Sequence, residues 1–427
     1  MLAELKQIPA RVVDAFGRML DFDIQADWGI LGGLALLTVF IALVFDFYNG
    51  VNDSANAIAT VVATRALPPW GAVLMAGFFN FVGAFIGVAV AKAVAKGFVE
   101  IELVDTQLML ATLIGALAWT AFATNLGIPI SVSHSLIGGL VGAGLAAHGR
   151  AALVPIDWDA LQPMWLRMAL GGLVTGIVFA IIARIVRAKP GVGFTIGAVI
   201  GSGAALVIGI ATGAIAEPPK MVSTVLFLLY SPAMGFTMAY IFYTAILWIV
   251  HKFPPTGIRV VFRYLQIFSA SFYAMGHGTN DAQKTMGIIT ALLVAEGAWS
   301  SMDAGVPYEV ILMAGLAIMA GTFIGGYKVV RTMGARLTHL DTTQGFAAET
   351  SSALGLFFLA ERGVPVSTTH SIAGSIMGVG AVQRVTAVSW GVARRIMAAW
   401  VITLPMAGLV AAIAHFVLGI ILPALGY

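Results

Sequence analysis

The chain has 427 residues, of which 59% are hydrophobic and only 10% charged, and its formal charge is +3. A soluble domain carries about 25% charged residues, so this composition excludes a water-dispersed globule and calls for lipid as solvent. Cysteine is absent, which excludes disulfides and thiolate metal sites. The basic residues are scattered at the ends of apolar stretches rather than gathered on one face, which excludes a nucleic-acid partner.

Residues 1–27 are mixed in charge, with Leu5, Ile8, Val12, Phe16 and Met19 at helical spacing and no small-residue cleavage site, and they predict an interfacial helix. Apolar stretches long enough to cross a bilayer then recur near 28–48, 70–95, 107–126, 129–148, 164–187, 192–215, 221–250, 264–295, 308–330, 344–361, 364–382 and 392–424. The 49 glycines fit helices that pack closely through small residues. Basic ends at Arg65, Arg184, Lys252, Arg259, Lys328, Arg331 and Arg394 alternate with acidic loops around Glu100, Asp157, Glu217 and Asp303. Placing the basic ends in the cytoplasm predicts about 12 transmembrane segments with both termini outside. The fold class is thus an all-α membrane protein with broken or re-entrant helices.

Two short runs carry charge into this apolar background. Gly50-Val51-Asn52-Asp53-Ser54-Ala55-Asn56 and Gly278-Thr279-Asn280-Asp281-Ala282-Gln283-Lys284 share one wording at an offset of 228 (281 − 53). An ionised Asp at mid-bilayer costs at least about 2.5–3.5 kcal/mol, so a chain bearing this cost twice uses both carboxylates. Gly50 and Gly278 predict helix breaks whose freed carbonyls, with Asn and Asp oxygens, suit a hard cation. On the predicted topology the two motifs enter the membrane from opposite sides, which is the mark of inverted repeats.

A second pair follows. Pro129-Ile130-Ser131-Val132-Ser133-His134-Ser135 resembles Pro365-Val366-Ser367-Thr368-Thr369-His370-Ser371 at an offset of 236 (370 − 134). Proline favours a first helical turn. Ser131, Ser133 and Ser135, with Ser367, Thr368 and Thr369, then crowd two helix N-termini, where free N–H groups attract an anion such as phosphate or sulfate. Plain N-capping is the competing reading. A third echo sets Asn80-Phe81-Val82-Gly83 against Thr322-Phe323-Ile324-Gly325. The halves divide as 28–189 and 263–427, with connector helices and a short cytoplasmic loop at 190–262.

The halves are unequal. Asn56 corresponds to Lys284, which either neutralises Asp281 or balances the anion. Glu349 is a candidate cation or proton ligand in an apolar stretch, and Asp46 precedes the first motif by one to two turns, with Asn49 closer. His134, His370 and His277 are either packed residues or proton carriers.

At these residues the chain resembles the inorganic phosphate transporter family, which carries a glycine-x-Asn-Asp signature and a Pro-x-Ser-x-Thr/Ser-His signature in each half. Asn80, where many eukaryotic members carry Glu, and the short central loop are departures. The resemblance implies cation-coupled (Na⁺ or H⁺) symport of inorganic phosphate across the cytoplasmic membrane by a homodimer, with no cofactor beyond the coupling ion. Phosphate is assigned to the hydroxyl runs with Asn52, Asn280 and Gln283. The cation, with Na⁺ at Asp53 and Asp281, is assigned to those acids with Asn49, Asn56 and Glu349, supported by Asp46, Lys284, His134 and His370. The alternatives are a sulfate or other oxyanion permease, and a passive anion channel. No dense metal cluster, nucleotide motif or credible triad points to an enzyme.

Overall fold

A computed structural model describes residues 25–96, 98–99, 103–155, 158–159, 161–185, 198, 201–203, 205, 220–361 and 366–426. The expected interfacial helix, most of the stretch expected at 192–215, and Pro365 lie outside the described residues. Helices α1 (Gly33–Ala63), α2 (Pro69–Ala84), α3 (Ala89–Lys96), α4 (Thr106–Leu126), α5 (Val132–His148) and α6 (Gln162–Ile185) form the first part. Helices α7 (Lys220–Val250), α8 (Pro255–Ala295), α9 (Tyr308–Ile324), α10 (Tyr327–Arg331), α11 (Thr342–Glu361), α12 (Thr368–Gln383) and α13 (Trp390–Ala424) follow. Among the described residues the only β contact is a single bridge between Val99 and Leu153.

Among the described residues, four helices are long and apolar enough to cross a membrane: α1, α4, the Tyr230–Val250 part of α7, and α13. A fifth span arises if α9 and the Tyr327–Arg336 stretch count together; they meet at a 61° bend. Gly325, at φ +69, sits at that bend in the left-handed region that favours glycine. The 70–95 stretch is likewise two helices, α2 and α3, parted at Gly87 with φ +153. Outward-facing Phe268, Trp248 and Phe416 are more than two-thirds exposed and suit lipid contact.

The predicted helix breaks at Gly50 and Gly278 are not found. Helix α1 runs unbroken for 31 residues through Asp53, and α8 for 41 residues through Asp281. The glycines serve close approach instead. A Cβ at Gly50 would strike the Ile318 carbonyl, and one at Gly278 the Asn80 carbonyl. Gly321 and Gly83 return the contact against Phe47 and Met275. Backbone thus touches backbone where α1 crosses α9 and where α8 crosses α2, the small-residue packing that replaces the hydrophobic effect in lipid. These contacts match at offsets of 228 (278 − 50) and 238 (318 − 80). The third sequence echo, at 242, is therefore one helical turn out of register: Asn80 answers to Ile318, not to Thr322.

A second set of contacts repeats in the same way. Gly138 and Gly142 of α5 abut Leu404 and Gly408 of α13, while Gly374 and Gly378 of α12 abut Pro232 and Phe236 of α7. Two hydrophobic clusters result, one including parts of α4, α5 and α9 and the other parts of α7, α11 and α12. Helices α1 and α8 contribute to both, and their polar residues lie between the two.

Candidate functional site

Helix α1 supplies Asp53, and α8 supplies Asp281 with His277 one turn before it. The N-terminus of α12 supplies Thr368, whose hydroxyl lies 3.1 Å from Asp53 Oδ2 and 3.1 Å from Asp281 Oδ2. His277 Nε2 lies 3.0 Å from Asp281 Oδ2 and 3.5 Å from Asp53 Oδ2. All four residues are buried. The ligand atoms of Asp53, His277 and Asp281 fall within 4.8 Å of one another, close enough to share one metal ion.

The imidazole is oriented from behind. Asn80 Nδ2 donates to Thr322 Oγ1 at 2.9 Å, so its Oδ1 is left to accept from His277 Nδ1 at 3.0 Å. His277 Nε2 then turns a lone pair on two carboxylates unless the ring is doubly protonated. A proton or a bound cation resolves that opposition.

Two helix starts converge on the pair. Ser131 caps α5 by accepting from the His134 amide at 3.3 Å, and Ser367 caps α12 by accepting from the His370 amide at 3.2 Å. The capping reading of these two serines is realised. The rings of His134 and His370 come within 5.1 Å of each other, and His370 lies over Trp400 at 3.8 Å. The positive ends of two helices therefore face one small volume that also holds two acids.

Lys284 and Asn56 reach across the halves to the hydroxyl runs. Lys284 Nζ pairs with Asp281 Oδ1 and donates to Ser133 Oγ at 2.5 Å, and Asn56 Nδ2 donates to Thr369 Oγ1 at 2.9 Å. Asn280 is buried with neither amide atom hydrogen-bonded among the described residues, which leaves it available to a ligand.

Other residues named from the sequence also make contacts within the protein. Asn52 donates to Thr124 of α4 at 2.8 Å. Gln283 turns its carbonyl to the amide of Val90 at 2.9 Å, capping α3. Ser135 bonds back to the Ser131 carbonyl at 3.5 Å. Asn49 donates to Asp46 at 3.3 Å, one to two turns before Asp53. Glu349 accepts from Thr60 at 2.5 Å, from Gln266 at 3.3 Å and from Ser269, two turns along α1 from Asp53. His277 is the central residue that the sequence left undecided; its spacing of four from Asp281 put it on the same face.

A cavity of about 620 Å³ opens at the C-terminal end of α1, lined by Thr64, Arg65, Arg259, His339, Asp341 and neighbours. Thr64 Oγ1 donates to Gln266 Oε1 at 2.8 Å, so polar groups lead from this cavity to Glu349.

The model of the phosphate transporter family matches residues 49–192 and 193–411. A Rhizobium meliloti protein named "Probable low-affinity inorganic phosphate transporter" is 39% identical over 88% of this chain and 94% of its own length. A Bacillus subtilis protein of the same name is 34% identical over 91% of this chain and 98% of its own. Among solved structures, "The sodium-dependent phosphate transporter" matches with a TM-score of 0.64 and 25% identity, covering 91% of this chain and all of that one. With both motif pairs inside the matched residues, this membrane protein belongs to the phosphate transporter family, a family of transporters and not of enzymes.

Proposed function

We propose that the protein is a secondary transporter that carries inorganic phosphate across the cytoplasmic membrane together with Na⁺ or H⁺. The observation that carries this reading is the shared hydroxyl: Thr368, at the start of α12, touches Asp53 and Asp281 at once. An anion drawn to the starts of α5 and α12 meets two carboxylates in a buried, low-dielectric place. That approach is strongly repulsive without a cation between them, so anion and cation enter together. Ser133, Thr368, Thr369 and Asn280 are the side chains placed to hold phosphate, with the amides of both helix starts. Asp53 and Asp281 hold the balancing positive charge.

Phosphate is favoured over sulfate because a protonated phosphate oxygen donates to a carboxylate, whereas sulfate at neutral pH has no hydrogen to give. The family and the named relatives support the same choice. The matched glycine contacts at α1–α9 and α8–α2 support two inverted repeats, and with them a path of twelve passes around a central site. The cavity beside Arg65 and Arg259 is the cytoplasmic approach to that site. A homodimer is the proposed assembly, tested by crosslinking in native membranes.

The purified chain in phospholipid vesicles tests the transport reading. Radiolabelled phosphate is expected to accumulate above its external concentration under an imposed Na⁺ or proton gradient, and excess sulfate is expected not to compete. No uptake under either gradient would refute the reading. Equilibration without accumulation would make the protein a passive channel.

A further inference from the structure

Where the two halves of the site differ in charge, Lys284 stands in the place of Asn56 (284 − 56 = 228). Lys284 Nζ donates to Asp281 Oδ1, to Ser133 Oγ at 2.5 Å and to the Val366 carbonyl at 3.2 Å. Three ammonium hydrogens meet three oxygens, so donors and acceptors balance.

The counterparts of these oxygens are Asp53 Oδ1, Thr369 Oγ1 and the Ile130 carbonyl, at the offset of 228 for the acid and 236 (369 − 133, 366 − 130) for the others. They are gathered in the same way: Thr369 Oγ1 lies 3.3 Å from Asp53 Oδ1 and 3.0 Å from the Ile130 oxygen. Here the donors fall short. Thr369 has one hydroxyl hydrogen for two acceptors. Asn56 gives it one N–H, and Asn56 Oδ1, though buried, has no partner among the described residues. A fixed positive charge thus completes one oxygen cradle, while its twin presents the same three oxygens plus an amide oxygen and no tethered cation.

We infer that Lys284 is a tethered cation that fills one of two equivalent cradles, so that only the Asp53–Thr369–Ile130 cradle takes a mobile sodium ion. Hard oxygen ligands, one of them anionic, suit Na⁺. The tethered charge helps to hold the anion but does not cross with it. The protein therefore couples one sodium ion fewer to each phosphate than a chain with asparagine at both positions. This inference rests on the cation-coupled reading above and adds a count to it.

Equilibrium phosphate binding to the purified full chain, over a series of Na⁺ concentrations balanced with choline, reads that count. The slope of log affinity against log [Na⁺] is the number of sodium ions bound with each phosphate. Lys284→Asn is expected to steepen the slope by one, and Asn56→Lys to flatten it by one. A slope that does not move in a variant that still binds phosphate overturns the inference. Crystals of the unaltered chain grown with Tl⁺ need no variant to fold: an anomalous peak is expected among Asp53, Thr369 and Ile130 and none beside Asp281. No peak in the first cradle, or a peak displacing the ammonium in the second, overturns it too. Failure of the unaltered chain to bind phosphate, with the first-cradle peak in place, would instead sink the transport reading and leave the cation assignment standing.

Discussion

Glu349 and the Asp53–Asp281 pair are buried acids set against the same helix, two turns apart, yet their surroundings differ in donors. Glu349 receives hydroxyls from Thr60 and Ser269 and an amide from Gln266, so three hydrogens of the protein serve its two oxygens. At the pair, Lys284 meets Asp281 Oδ1 and Thr369 lies 3.3 Å from Asp53 Oδ1, but the single hydrogen of Thr368 faces the remaining oxygen of each acid, and His277 Nε2 faces the same two oxygens. A buried carboxylate costs free energy until its oxygens are met. The protein meets that cost for Glu349 from its own side chains. For the pair it leaves a share to be supplied from outside. On the proposed function, the difference predicts that the pair, rather than Glu349, meets the transported ions.

The largest expected effect follows from removing one member of the pair. Asp53→Asn keeps shape and loses charge, and breaking a buried charge arrangement costs about 3–5 kcal/mol. Cation-driven phosphate uptake in vesicles should fall by two to three orders of magnitude, and uptake close to the parent's would erase the contrast. Thr368→Val comes next. It keeps volume and deletes the one hydroxyl that touches both acids, a loss of about 1–3 kcal/mol. Initial uptake rates should drop about ten- to hundredfold. A loss no larger than that of a threonine elsewhere on α12 would mean that the shared contact is incidental.

Much of this arrangement was legible in the sequence, for stated reasons. Hydropathy marks the helices because lipid allows no unsatisfied backbone. Asp53 and Asp281 stand out because charge in an apolar stretch is costly, and their repetition pairs them. Helix continuity through Gly50 and Gly278 was not legible, because glycine marks both a break and a close crossing. Only the Ile318 and Asn80 carbonyls on the neighbouring helices decide between them. Gln283 reads as a site residue by its place in the motif; that its carbonyl accepts from the amide of Val90 depends on how α3 packs against α8, which the motif does not record. His277 shares a face with Asp281 by spacing. That Asp53 also reaches it depends on how α1 crosses α8, which no local pattern records.

The smallest expected effect separates the two acids most cleanly. Glu349→Gln removes the charge without changing the shape. Thr60 can still donate to the remaining oxygen. Ser269 already lies 3.0 Å from the Gln266 carbonyl, so it can donate there and accept from the new amide. The fold is therefore expected to hold, with a thermal midpoint within a few degrees of the parent's. Uptake should fall about tenfold, the scale of losing a supporting group next to a binding site. The decisive quantity is the slope of phosphate affinity against sodium. Since the oxygens of Glu349 are met by the protein's own hydrogens, the slope is expected to stay where it is. A slope lower by one would place a sodium ion on Glu349, and the supply of donors would then not be what tells the two acids apart.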